Sequence, residues 1–215
     1  MYKTVVFDLD GTLLNTLTDL ADAGNRLCRK YGWPTHERQA YRYFVGNGIP
    51  KLIERMLPAG HDKATEERAF AMFNEYYSRH KCDHTKPYPG MPELIRDIKA
   101  QGVVCGANSN KADEFTRELI RLNYGDEFDQ VIGFGAGFQP KPDPGAALEI
   151  IRRTGVKPEQ ALYVGDSDVD IMTGHNAGIS VCAALWGFRS YDELAAQSPT
   201  FFAHNAEELK KIILG

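Results

Sequence analysis

Residues 4–15 read TVVFDLDGTLLN, and this stretch decides the fold. Its β-branched and aromatic residues run without interruption into Asp8 and Asp10. A continuous apolar run of this kind is typical of a strand that helices cover on both faces, as in a parallel sheet. Two carboxylates at the end of such a strand repel each other unless a cation neutralises them. The stretch therefore predicts a buried strand and a charged site at its carboxyl end.

Short apolar runs of the same kind recur along the chain and alternate with amphipathic segments. The predicted strands after the first lie at 103–107, 130–134, 161–165, 180–184 and 200–203. The predicted helices between them lie at 92–101, 112–122, 144–154 and 206–214. Alternating strands and helices indicate an α/β fold, a doubly wound, Rossmann-like parallel sheet.

One long interval contains no convincing strand. Apolar residues at helical spacing predict a helix that begins at Leu17 and ends before Gly32. The segments 37–44, 50–57 and 63–81 have helical patterns as well, and PYPGMP marks a stiff return to the sheet. We therefore expect an α/β core domain formed by 1–15 and 85–215, with an α-helical domain inserted over 16–84.

The composition limits the classes of partner. The chain has 215 residues and a net charge of −4, and its basic residues are not clustered. Nucleic acid and anionic membranes attract clustered lysine and arginine, so neither is expected as a partner. We find no signal-peptide pattern and no apolar run of about 20 residues. With four scattered cysteines, expected to be reduced thiols, these features favour a cytoplasmic protein, a monomer or a homodimer.

The predicted topology brings polar segments together, because ligands of doubly wound sheets bind outside the carboxyl ends of the strands. Polar residues follow four of the predicted strands, at 8–12, 108–111, 139–144 and 166–170. Carboxylate oxygens without histidine or cysteine suit Mg²⁺, which also takes phosphate oxygens as ligands. A lysine beside them suits a phosphate group. The residues thus predict a Mg²⁺-dependent site for phosphoryl chemistry.

Four motifs in this set resemble those of the haloacid dehalogenase superfamily. They are DLDGT at 8–12, Ser109 after the second long strand, Lys141 in KPDP, and GDSDVD at 165–170. They occur in the order typical of that superfamily, and the resemblance spans the whole chain. The helical insertion after the first motif resembles the superfamily's four-helix cap.

The resemblance implies separate roles for the first two aspartates. Asp8 is expected to be the nucleophile that forms an aspartyl-phosphate. Asp10 is expected to protonate the leaving oxygen and then to activate water. Side chains two positions apart point to the same side of an extended chain, so both carboxylates reach one substrate.

The remaining motifs imply the rest of the site. Ser109 and Asn110 are expected to bind the phosphoryl group, and Lys141 to neutralise it together with Asp8. Asp166 is expected to bind Mg²⁺, together with the Asp8 carboxylate and the backbone carbonyl of Asp10. Asp170 is expected to act on the metal indirectly, for example through a water.

The inserted segment narrows the resemblance to phosphoglycolate phosphatases. FVGNGIPKLIERML at 44–57 and PYPGMPEL at 87–94 are similar to that group. The expected partner is therefore a small phosphorylated metabolite, with 2-phosphoglycolate as the first candidate. Lys51 and Arg55, one helical turn apart, either pair with an acidic leaving group or form a solvated face. The VGNG loop either approaches the substrate or is a plain turn between helices.

Two alternatives remain open at the level of the sequence. One is a pyrophosphatase or a sugar-phosphate mutase on the same scaffold, and the other is a non-catalytic module that only binds phosphate. The acid at Asp10 favours turnover of a phosphate ester. Asn15, where many relatives of this superfamily have an aspartate, lies outside the four motifs and is assigned no chemistry.

Overall fold

A computed structural model describes every residue from Met1 to Gly215. Its strands are β1 (Thr4–Phe7), β2 (Leu14–Asn15), β3 (Lys86–Pro87), β4 (Val104–Ala112), β5 (Gln130–Phe134), β6 (Ala161–Gly165), β7 (Ser180–Ala184) and β8 (Phe201–Ala203). Six of them form one sheet in the order β5-β4-β1-β6-β7-β8, and every neighbouring pair in it is parallel. The predicted doubly wound α/β fold is confirmed.

The helices cover both faces of this sheet, apart from four that are inserted between β2 and β3. They are α1 (Leu17–Tyr31), α2 (Tyr41–Phe44), α3 (Ile49–Met56), α4 (Lys63–His80), α5 (Met91–Ala100), α6 (Asp113–Tyr124), α7 (Gly145–Thr154), α8 (Asp168–Asn176), α9 (Tyr191–Ala195) and α10 (Ala206–Leu214). No helix combines the length and the apolar character that crossing a bilayer requires.

The first strand shows why the sheet needs helices on both sides. Val5 and Phe7 belong to one hydrophobic cluster, which includes residues of α5, α6 and α10. Val6 belongs to a second cluster, with residues of α7, α8 and α9. Successive side chains of a strand point to opposite faces, and here both faces are apolar and fully buried. The strand is therefore central, and its carboxyl end lies in the middle of the sheet edge.

Helices α1 to α4 pack around a separate hydrophobic cluster, which we call the cap cluster. It contains Leu20, Leu52, Met56, Phe73 and Tyr77 among its fully buried side chains. This packing supports the division into a core and an inserted helical domain over 16–84, whose bounds stay a prediction.

Two very short strands connect the insertion to the core. Leu14 pairs with Pro87 and Asn15 with Lys86 in an antiparallel ladder. The sequence did not predict this ladder, because two-residue strands are too short to show an alternating pattern. Asn15 is exposed, and its side chain accepts a hydrogen bond from the Leu17 amide at 3.4 Å, at the start of α1.

Strand β4 is longer than the predicted run at 103–107. Its pairing with β5 shifts register between Asn108 and Ala112, and pairing resumes at Ala112 opposite Phe134. Such an irregularity re-aims side chains next to a site. The polar residues 108–111 consequently lie in the buried sheet edge rather than in a loop.

Candidate active site

Three carboxylates meet at the carboxyl end of the central strands. Asp8 follows β1, Asp166 follows β6, and Asp170 lies in the first turn of α8. One oxygen of each lies within 4.8 Å of the others, and all three residues are buried. The topology thus brings together three of the predicted site residues, although 158 positions separate the first from the second.

Lys141 is the cation of this cluster. Its Nζ lies 2.6 Å from Asp8 Oδ1 and 2.6 Å from Asp170 Oδ1. Its side chain is only 3% exposed, so both contacts are shielded from water. The Oδ2 of Asp8 receives no hydrogen bond from the protein, which leaves one oxygen of this carboxylate available.

Asp166 is held in a tight cradle. Its Oδ1 accepts a hydrogen bond from the Thr12 hydroxyl at 3.0 Å, and its Oδ2 accepts one from the Phe188 amide at 2.7 Å. A Cβ at Gly11 or Gly187 would collide with the Asp166 side chain. Gly11 also has φ +94°, a conformation that side chains strongly disfavour. The two glycines therefore let backbone approach this carboxylate from both sides.

The Asp170 carboxylate is already fully engaged by the protein. Its Oδ1 accepts a hydrogen bond from Lys141 Nζ. Its Oδ2 accepts hydrogen bonds from the Asp166 amide, the Ser167 amide and the Ser167 hydroxyl. These contacts orient the loop after β6. They agree with the expected indirect role of Asp170, which stays a prediction.

Burial and repulsion disfavour negative charge in this cluster. Burial first, and then the nearby Asp170, raise the pKa of Asp8 well above its usual value, although Lys141 lowers it. The same two causes raise the pKa of Asp166 to about 7, against hydrogen bonds from Phe188 and Thr12 that lower it. Burial lowers the pKa of Lys141, but Asp170 and Asp8 outweigh it and the net shift is upward. Positive charge beyond that of Lys141 would therefore stabilise the cluster.

The donor set fits a hard divalent cation. The carboxylates of Asp8 and Asp166 retain oxygen lone pairs beyond their hydrogen bonds, and neither histidine nor cysteine belongs to the cluster. Mg²⁺ prefers one or two carboxylates, waters and phosphate oxygens. The acidic cluster is what the structure shows, and Mg²⁺ as its occupant belongs to the proposal below.

Mg²⁺ is expected to raise the melting temperature more at about pH 8 than at about pH 5. The pKa of Asp166 is raised from its usual value of 3.8 to about 7 in the folded protein. Protonation of Asp166 therefore stabilises the fold fully below about pH 4, and this stabilisation is lost as the pH rises through 7. Mg²⁺ replaces the lost stabilisation at pH 8, where the carboxylate is charged, and competes with the proton at pH 5. The loss is on the order of 1–4 kcal/mol, or several degrees. Thermal melts with and without Mg²⁺ at both pH values check this.

The matched control for these melts is Asp166→Asn, which removes the titrating group. Its metal-free melting temperature should depend less on pH than that of the wild type. A Mg²⁺ shift that is equal at both pH values in the wild type would contradict the expectation.

Asp10 lies beside this cluster with a cation of its own. The Nζ of Lys111 contacts both carboxylate oxygens, at 2.8 Å and 2.9 Å, and the Thr16 hydroxyl donates to Oδ1 at 2.7 Å. Lys111 is 1% exposed in its side chain. Burial lowers the pKa of Lys111, but the effects of Asp10 and Tyr77, which raise it, are together larger, so the net shift is upward. The sequence placed Lys111 in the polar segment 108–111 without assigning it a role.

Ser109 and Asn110 both line the same cavity. The Asn110 amide nitrogen donates to the carbonyls of Gly46 and Lys141, and its oxygen accepts from the Lys141 amide at 2.7 Å. Asn110 therefore ties the inserted loop to the segment that carries Lys141. Its predicted contact with a phosphoryl group stays a prediction, as does that of Ser109.

The inserted helices form the other wall of the cavity. Leu20, Val45, Ile49 and Leu52 face it, together with the glycines of the VGNG loop. Lys51 and Arg55 do not line it. Lys51 pairs with Glu54 on the surface, and Arg55 donates to the carbonyls of Tyr43 and Phe44 and to the Asn47 side chain. In this arrangement Arg55 stabilises the loop that faces the cavity.

Two arginines join the inserted helices to the core. Arg42 of α2 donates to the carbonyls of Phe188 at 2.7 Å and Gly187 at 3.1 Å. In return, Arg189 donates to the carbonyls of Arg42 and Val45. Phe188 is buried in the cap cluster while its amide holds Asp166. The segment 187–189 thus connects the cap cluster with the acidic cluster. No local sequence pattern predicts this connection, because its contacts join residues about 145 positions apart.

Asp168 stays outside the acidic cluster. It is half-buried in the first turn of α8 and lines a separate groove with Arg189 and Glu193. A carboxylate in the first turn is favoured by the helix dipole. Its position therefore has a structural reason that does not involve the cavity.

Comparison with known families agrees with this geometry. The sequence pattern of the family described as haloacid dehalogenase-like hydrolase matches residues 5–184. That range contains all of the candidate site residues.

Individual relatives are similar over nearly the whole chain. A phosphoglycolate phosphatase of Pseudomonas putida is 35% identical over 204 residues, which are 92% of this chain and 75% of the relative. A phosphoglycolate phosphatase of Aquifex aeolicus is 32% identical over 98% of this chain and 96% of its own length. The crystal structure of a Lactobacillus delbrueckii subsp. bulgaricus protein superposes with a TM-score of 0.94, at 29% identity, covering 100% of this chain and 99% of that one.

Proposed function

Because the chain belongs to the haloacid dehalogenase-like hydrolases and is a phosphoric monoester hydrolase, we propose that it hydrolyses 2-phosphoglycolate with Mg²⁺ and through a phosphorylated Asp8. The observation that carries the proposal is the joint placement of Asp8, Asp10, Lys141 and Asp166 around one cavity. The relatives named phosphoglycolate phosphatase support the substrate.

The first half-reaction forms a bond between Asp8 and phosphorus. A carboxylate oxygen of Asp8 attacks, the bond between phosphorus and the ester oxygen breaks, and Asp10 donates a proton to the departing alkoxide. Lys141 keeps Asp8 oriented through its 2.6 Å contact and offsets negative charge on the phosphoryl group. The products of this step are the free alcohol and an aspartyl-phosphate.

The second half-reaction returns the enzyme to its starting state. Asp10, now a carboxylate, takes a proton from a water whose oxygen attacks phosphorus. The bond between phosphorus and the Asp8 oxygen breaks, which releases inorganic phosphate and restores the Asp8 carboxylate. Asp10 lies beside Asp8 at the same strand end and is only 12% exposed in its side chain, so it can serve both steps.

The metal would be held by the carboxylates of Asp8 and Asp166 and by the backbone carbonyl of Asp10. When bound, Mg²⁺ neutralises the buried carboxylates and polarises the phosphoryl oxygens. Asp170 positions the loop that carries Asp166, through its hydrogen bonds to the 166 and 167 amides.

A panel of phosphate esters tests the substrate. With Mg²⁺, 2-phosphoglycolate is expected to have a kcat/KM at least about tenfold above that of a chromogenic aryl phosphate, since leaving-group contacts add selectivity. The panel includes pyrophosphate, and hexose phosphate with a bisphosphate activator, which represent the two alternative activities on this scaffold. A low rank for 2-phosphoglycolate would reject the substrate and leave the mechanism standing. Failure to hydrolyse any ester would reject the mechanism.

A further inference from the structure

The leaving group of a phosphate ester must lie next to Asp10 in this cavity. A general acid has to come within about 2.6–3.2 Å of the oxygen that it protonates. In 2-phosphoglycolate the carboxylate is only two bonds from that oxygen. A group that recognises this carboxylate therefore has to be a close neighbour of Asp10.

Three cations line the cavity, and each of them has partners in the protein. Lys141 pairs with Asp8 and Asp170. Arg189 donates to backbone carbonyls of the inserted segment. Lys111 is the third, and both of its side-chain hydrogen bonds go to Asp10.

Lys111 has donor capacity to spare. An ammonium group has three N–H donors, and the two oxygens of Asp10 accept hydrogen bonds from it. On its other side lies the Tyr77 ring, whose centroid is 5.0 Å from Nζ. Tyr77 is fully buried and its hydroxyl has no hydrogen-bond partner. The Lys111 ammonium thus lies between Tyr77 of α4 and Asp10, and Asp10 is the one carboxylate that pairs with it.

We propose that Lys111 binds the carboxylate of the leaving group and makes the enzyme selective for phosphate esters whose alcohol carbon bears a carboxylate. The inference rests on the proposed hydrolysis of such an ester. In the complex the ammonium bridges Asp10 and the substrate carboxylate. A buried anion requires a paired charge, so a cavity that already holds this cation favours anionic over neutral leaving groups.

The proposal assigns no part in recognition to Lys51 and Arg55. Neither lines the cavity, and Arg55 is used by the VGNG loop. Specificity therefore comes from the core strand β4 and not from the charged face of α3.

The test compares two substrates of nearly equal size, 2-phosphoglycolate and ethyl phosphate, in wild type and Lys111→Met. The measured quantity is the ratio of their kcat/KM values. Loss of a charge-assisted hydrogen bond is expected to lower this ratio by about 10- to 100-fold. An effect of the substitution on Asp10 as the general acid lowers kcat/KM for both substrates, so the ratio reports mainly on recognition of the carboxylate.

Lys111→Arg keeps the charge and is expected to recover most of the ratio, whereas Lys51→Met should leave it at the wild-type value. Lys111→Gln repeats the measurement with a neutral donor if the methionine variant does not fold. A ratio that stays within about threefold of wild type in a folded Lys111 variant overturns this inference alone. Inactivity of the wild type on both esters would instead overturn the proposed function.

Discussion

Replacing Asp8 with asparagine is expected to lower kcat by ~10⁴-fold or more, as the loss of a covalent nucleophile does in other enzymes. The amide cannot attack phosphorus, so no aspartyl-phosphate forms. The same change should not destabilise the metal-free fold. Burial and Asp170 already raise the pKa of Asp8, so a neutral group is tolerated there. Steady-state kinetics and a thermal melt measure the two effects.

The control for Asp8→Asn is Asp168→Asn, which changes an aspartate that lies outside the cavity. It should retain activity within a few-fold of wild type. Acid quenching during turnover should yield phosphorylated wild-type protein and none from Asp8→Asn. A variant that retains even a tenth of wild-type turnover would show that another group attacks phosphorus.

Lys141→Met is expected to impair both catalysis and the metal-free fold. Three buried carboxylates would remain within 4.8 Å with no cation among them. Breaking a buried ion pair by removing one partner costs about 3–5 kcal/mol, which lowers the melting temperature by roughly 10 °C. Loss of a preorganised positive group should also lower kcat by ~10²–10³-fold.

Two comparisons separate these effects. Excess Mg²⁺ should recover part of the lost stability of Lys141→Met, because it supplies positive charge to the same carboxylates. Lys51→Met, at an exposed pair, should change stability by less than about 1 kcal/mol. If Lys141→Met melts at the wild-type temperature without metal, Lys141 is not what neutralises the cluster.

The sequence was informative wherever chemistry and local pattern coincide. Strand β1 has the bounds of the continuous apolar run at 4–7, and the helix at 17–31 was predicted from apolar residues that recur at helical spacing. Asp8, Lys141, Asp166 and Asp170 were predicted to converge, and they do. Their roles in the reaction stay predictions.

The sequence was less informative where a contact joins distant segments. The hydrogen bonds that Arg42 and Arg189 donate across the junction of the inserted helices and the core correspond to no local sequence pattern. The same is true of Lys111, which the sequence showed only as one polar residue at the end of a strand. Lys51 and Arg55 had the spacing of a recognition pair, but neither of them lines the cavity.

The sequence by itself determined the parallel α/β fold and the family, together with the motif residues proposed to carry out phosphoryl transfer. Short-range periodicity and strand-end motifs are local properties, and the carboxyl ends of parallel strands share one edge. Only the tertiary structure decided that Lys111 neighbours Asp10 and that Phe188 both packs in the cap cluster and holds Asp166. These contacts join residues that lie far apart in the chain, so no local pattern of the sequence reveals them.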